Sequence, residues 1–178
     1  MKKLTLLFTA LIAVATISCS KSSSNPGNPD SPQTTVPTEL RGNWMYGNFS
    51  MTEYWSQDPE DYLGNGFEVA LAFNFKADGS YTQYFTSSTV TLGVVTYHQS
   101  VTQGTVEIDE ASKTIITHPG KAHYKRTANG KVEEDRDLGD NEMSTSTYTY
   151  TTGKEPNGTD ALYLTLSGTT DPLTFLKK

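Results

Sequence analysis

Short runs in which apolar and polar residues alternate recur along this chain, with turn residues between them. The clearest is Val69-Ala70-Leu71-Ala72-Phe73-Asn74-Phe75. A strand here puts Val69, Leu71, Phe73 and Phe75 on one face and Ala70, Ala72 and Asn74 on the other. Asp78-Gly79 follows as a turn. Further strands are predicted at 80–87, at 89–100 with a bend at Gly93, and at 105–108, 113–118, 122–127, 131–134, 144–151, 162–166 and 173–176. Asn129-Gly130 is a two-residue hairpin signal. The one helical candidate is short, residues 58–62, with Pro59 in its first turn. So many short strands predict an all-β, antiparallel fold, either a barrel or a sandwich. The succession of neighbouring hairpins favours an up-and-down barrel of about eight strands, because closure removes exposed edges.

The chain has 178 residues, enough for one domain or at most two small ones. Fourteen basic residues face 20 acidic ones, a formal charge of −6. That balance argues against a nucleic-acid partner, since phosphate contacts need clustered Lys and Arg. A single cysteine excludes an internal disulfide framework and a Cys-based zinc site.

The amino terminus reads as an address. Lys2 and Lys3 precede an apolar stretch, residues 4–17, too short to span a bilayer as a helix. Ser18 and the lone Cys19 follow. This pattern resembles the lipobox of bacterial lipoproteins. The resemblance implies a signal peptide over 1–18, cleavage before Cys19, acylation of Cys19 and anchoring in the outer membrane, facing the periplasm or the cell surface. An ordinary signal peptide cleaved nearby would instead leave Cys19 as a free thiol. Removal of 1–18 takes away two lysines and no acid, and so moves the charge from −6 to −8. Lipid rather than electrostatics must then hold the chain to an anionic membrane.

Residues 19–38 follow as lipidated Cys and tether. They are rich in Ser, Asn, Pro and Thr, and Val36 is the one aliphatic residue after Cys19. Such a stretch buries too little apolar surface to offset its ordering entropy. Residues 39–178 form the folded domain, long enough for a single core.

Two motifs at the start of that domain suggest a family. Leu40-Arg41-Gly42-Asn43-Trp44 contains G-x-W, and Phe75-Lys76-Ala77-Asp78-Gly79-Ser80-Tyr81 reads F-x-x-D-G-S-Y. With a last strand ending Phe175-Leu176-Lys177-Lys178, they resemble the bacterial lipocalin-like lipoproteins of Bacteroidetes type. The resemblance implies a lipocalin-like barrel in which Trp44 plugs the closed end and Gly42 permits its close approach. It also implies a cavity for a small hydrophobic or amphipathic ligand. The T-D-Y motif and late arginine of typical members are not found, and residues 54–66 form an insertion.

Catalytic signatures are scarce. There is no G-x-S-x-G elbow, no P-loop and no G-x-G-x-x-G. His98, His118 and His123 lack a recognisable metal-ligand spacing, and three unrelated strand histidines are the simpler reading. Glu133, Glu134, Asp135, Asp137, Asp140 and Glu142 depart from calcium-loop spacing and read as a solvated loop between strands. No catalytic residue, metal or cofactor is assigned, and the chain is read as a non-enzyme. Aromatic residues are more informative. Tyr54, Trp55 and Tyr62 fall in the insertion and suit a rim or lid, with Phe73 on the wall of the cavity. Tyr148 and Tyr150 share a strand face, where they could stack on a sugar or cover the barrel. The expectation is a membrane-anchored module binding a small hydrophobic ligand. The alternative is a filled barrel that binds a protein or glycan partner at the cell envelope.

Overall fold

The computed structural model describes residues 31–56 and 69–178. The signal segment, Cys19, the helical candidate at 58–62 and Tyr62 lie outside the described residues. The fold is all-β and antiparallel. Nine strands run in chain order: β1 (Gly42–Tyr46), β2 (Val69–Phe75), β3 (Ser80–Thr91), β4 (Val94–Asp109), β5 (Thr114–Ala128), β6 (Lys131–Asp137), β7 (Ser146–Lys154), β8 (Asp160–Leu166) and β9 (Leu173–Lys177). Hydrogen bonds link them as β4-β3-β2-β1-β9-β8-β7-β5-β6, and β4 also pairs β5. Eight strands therefore close a ring, and β6 stands outside it on the edge of β5.

The alternation at 69–75 decides the inside and outside of the ring. Leu71, Phe73 and Phe75 enter the main core with Trp44, Tyr81, Val106, Ile115, Tyr150, Leu162, Leu164 and Phe175. Ala70 and Ala72 belong to a second cluster on the outer face, with Met45, Phe49 and Tyr54. The interior is closely filled. The Phe73 ring stacks on Phe75 at 5.2 Å between centroids, and lies 5.7 Å from Phe175, 6.0 Å from Tyr148 and 6.3 Å from Tyr81. These are the separations of packed aromatic pairs.

One end of the ring is sealed by the chain entering it. A short 3-10 turn, Thr38–Leu40, precedes β1, and Val36, Leu40 and Trp44 are buried together. Trp44 is 1% exposed, donates its indole N–H to the Leu40 carbonyl at 2.7 Å, and carries Lys177 over its ring. Residues 31–38 fall in the stretch read from sequence as tether, yet they lie against this end. Thr34 N–H bonds the Val106 carbonyl at 2.9 Å, and Val36 is fully buried. Burial of that single aliphatic side chain and main-chain pairing are what order this part of the stretch.

Several predicted strands merge. Positions 105–108 continue β4, so the hairpin tip falls at Leu92-Gly93 and the strand from 89 to 100 is two strands, not one bent one. The segments 113–118 and 122–127 are a single β5, interrupted by a register shift opposite Gln103 and Gly104. β5 is too long for one partner on its outer edge. Its first part, Thr114 to Thr117, pairs β7, and its last part, His123 to Ala128, pairs β6. Pro119 sits between the two, where no strand asks for its missing N–H. The acidic stretch is also corrected: residues up to Asp137 are strand β6, not loop.

Candidate functional site

Tyr54 and Trp55 are adjacent in sequence but have opposite roles in space. The chain leaves β1 at Tyr46 and returns over the outside of β2, β3 and β4, ending in the 3-10 turn Tyr54–Ser56. Tyr54 anchors this return. It is 3% exposed and packs edge-on to Phe49 and Tyr84. Its hydroxyl accepts the Ser100 N–H at 3.0 Å and bonds the Phe85 carbonyl, tying the segment to β3 and β4. Burial pushes the phenol well above its ordinary pKa, so it stays protonated. Trp55, held by that anchor, remains 38% exposed. Its carbonyl accepts a hydrogen bond from Lys125, and its ring stands nearly perpendicular to His123, 5.2 Å away.

His123 lies on the outer face of β5, beside β6. Its Nε2 is 2.7 Å from Asp135 and its Nδ1 is 2.8 Å from Asp137. Asp135 and Asp137 alternate along β6, so both reach the same side. Two carboxylate acceptors on the two ring nitrogens favour the doubly protonated imidazole. The Asp137 hydrogen bond in particular raises the His123 pKa, against partial desolvation, with Asp135 adding to it. On β6, Arg136 forks onto Glu142 in the turn that follows, at 2.7 and 2.8 Å, and reaches Glu134 at 2.7 Å. Arg136, with the Gly139 N–H, lowers the Glu142 carboxyl to about 2. Acids of this stretch are thus paired with Arg136 inside it and with His123 and Arg126 of β5.

A cleft of about 340 Å³ opens next to Trp55. Val101, Gln103, Lys121, His123, Asp137 and Met143 are among its walls. A second cleft of about 430 Å³ adjoins it and reaches His118 and Ser31. The two share Gly120, Asp140 and Met143 and so lie side by side, and the pair is termed the groove. It lies where β5 changes partners, between the end of β7 pairing at Thr117 and the start of β6 pairing at His123. The bulge there is shaped by Gly104. A Cβ on Gly104 would stand 2.0 Å from the His118 carbonyl oxygen, so only glycine allows this approach of β4 to β5.

The sequence-derived site residues thus divide. Trp55 lines the groove, Tyr54 supports it from beneath, and Phe73 is fully buried in the barrel, away from it. Gly42 and Trp44 are at the sealed end, with Gly42 at φ 104°. The three histidines are separate. His98 meets the Tyr124 hydroxyl at 2.6 Å, His118 meets Glu107 at 2.9 Å, and His123 meets the two aspartates. Among the described residues no group of three His, Cys, Asp or Glu side chains is arranged to hold a metal ion. Gln103, Lys121, Asp137, Asp140 and Met143 were not singled out as site residues from sequence, because only the register of β4, β5 and β6 brings them together. No family model, no curated protein and no solved structure matches this chain.

Proposed function

We propose that this chain is a non-catalytic, membrane-tethered binding protein of the cell envelope, built on a lipocalin-like barrel that serves as scaffold. The barrel holds out a recognition site on its outer surface. One observation carries this reading: the interior is packed by Phe73, Phe75, Phe175 and their neighbours, whereas the groove lies outside, under Trp55. Among the described residues the interior rings stand at packed separations, and a lipophile entering between them would displace side chains from their rotamers. The groove also has the mixed polar and aromatic walls of a recognition surface.

The tether rests on the lipobox-like sequence around Cys19 and on the Pro-rich residues after it. Multiple acyl chains there would give stable anchoring, in the outer membrane. Metabolic labelling with an alkynyl palmitate tests this. Label is expected on the wild-type chain and absent from Cys19→Ser. A wild-type chain that takes up no label contradicts the tether.

A second reading keeps the small hydrophobic ligand, at the open end of the barrel. Its support is the exposure of Val69, Leu166 and Leu173, 43, 42 and 38%, at positions alternating with buried interior residues. Titration with N-phenyl-1-naphthylamine separates the two. The scaffold reading expects no saturable rise in probe emission. Saturable uptake displaced by oleate supports the hydrophobic carrier and overturns the scaffold.

A further inference from the structure

We propose that the groove beside Trp55 binds an uncharged oligosaccharide. This deepens the scaffold reading and rests on it.

The two adjoining clefts, about 340 and 430 Å³, each fall within the roughly 300–1,000 Å³ of small-molecule sites. They lie side by side across Gly120, Asp140 and Met143, as neighbouring subsites for successive sugar rings would. A pyranose has an apolar C–H face and a rim of hydroxyls that both donate and accept. Trp55 supplies an exposed aromatic surface at one end. Gln103 offers donor and acceptor, Lys121 donates, and Asp137 and Asp140 accept. The Trp55 side chain is also preorganised, since Tyr54 and the Lys125 bond fix its backbone and His123 stands against its ring.

Charge then narrows the class. In the first cleft two carboxylates, Asp137 and Asp140, face Lys121 and His123. His123 already spends both nitrogens on Asp135 and Asp137. The whole chain carries −6. The two cations of this cleft are matched by its two carboxylates, so a uronate or sulfated sugar gains no net attraction there and approaches a chain of negative charge. An extended peptide fits less well. The gap in β5 spans only the residues between Thr117 and His123, Pro119 has no N–H to offer, and the Ala122 carbonyl is taken by Leu138 N–H at 2.9 Å. A peptide adding as a strand would find few main-chain partners.

The test titrates the full chain with cellohexaose, maltohexaose and chitohexaose, with hexagalacturonate as the anionic control. The chain has two tryptophans, and Trp44 is buried, so a change in indole emission reports Trp55. Calorimetry follows each titration. At least one neutral hexasaccharide is expected to bind saturably and better than hexagalacturonate. Trp55→Ala should weaken it about tenfold or more, equal to about 1.4 kcal/mol. Gln103→Ala should weaken it too, with the far-UV spectrum unchanged in both. Absence of binding by all three neutral sugars overturns the proposal. So does preference for hexagalacturonate, binding that survives Trp55→Ala, or preference for an extended octapeptide library over the sugars. N-phenyl-1-naphthylamine is run on the same sample. Sugar failure without probe uptake removes only the saccharide, whereas saturable uptake removes the scaffold reading itself.

Discussion

Tyr54 shows how one side chain can decide whether a surface exists. Its hydroxyl accepts the Ser100 N–H and donates to the Phe85 carbonyl, adding a side-chain tie to a β3–β4 ladder pair from outside the barrel. Tyr54→Phe removes that tie while the ladder pair remains, and a hydrogen bond contributes about 0.5–1.5 kcal/mol. The variant is expected to lose about 1 kcal/mol in urea unfolding, and Trp55 emission should shift to the red as the segment loosens. His123 gives the residue scale its pH dependence. Its pKa in the folded chain is raised by Asp137 and Asp135. A raised value stabilises the fold fully below the unfolded pKa, about 6.5, and the contribution is lost as pH rises through the folded value. The ring is 38% exposed, so solvent screens the effect and it remains small. A proton NMR titration should place His123 above 6.5, and Asp137→Asn should move it down. A His123 that titrates at or below 6.5 would contradict the double carboxylate contact.

At the scale of elements, β5 carries the design. It pairs β4 along nearly its whole length and divides its other edge between β7 and β6. The division is possible because Gly104 lets the strands approach at the bulge. Gly104→Ala forces the new methyl into the His118 carbonyl or shifts the register. The cost should reach roughly 2 kcal/mol or more, well beyond an ordinary strand glycine. Thermal unfolding checks it, and an unchanged melting temperature would contradict the close approach. Among the described strands β6 has no partner on its outer edge, and its Lys, Glu, Asp and Arg side chains protect it from pairing with other chains. Its ion pairs are exposed, so each contributes about 0–1 kcal/mol and serves that edge more than stability.

These elements also show what was legible in sequence. The faces of β2 were plain, because period-two alternation survives in any closed sheet. Asn129-Gly130 was plain as well, with both residues at positive φ, as the turn demands. Leu92-Gly93 was not, since leucine is a poor turn residue and its φ of 52° is imposed by the hairpin. Pro119-Gly120 read as a break because proline normally ends strand pairing, yet here it occupies a bulge. The groove was the least legible feature. Trp55 stood out by composition, but Gln103, Asp137 and Asp140 become neighbours only through registers set by long-range pairing.

For the whole molecule, the closed ring answers two problems at once. Closure pairs the outer edges of eight strands, and the same closure surrounds a core that aromatic side chains fill. Filling is what separates a scaffold from a container. It makes the interior costly to open, since Phe73→Ala would remove packed contacts worth about 3–5 kcal/mol. In the proposed reading recognition falls to the outer surface, where β5 trades β7 for β6. The direct measurement is amide and indole NMR mapping of the uniformly labelled chain on addition of the three neutral hexasaccharides. Shifts are expected at the Trp55 indole and at Gln103, Lys121, His123 and Asp137, with Phe73, Phe175 and Leu164 unmoved. Shifts centred on those interior residues, or none anywhere, would contradict the proposed reading.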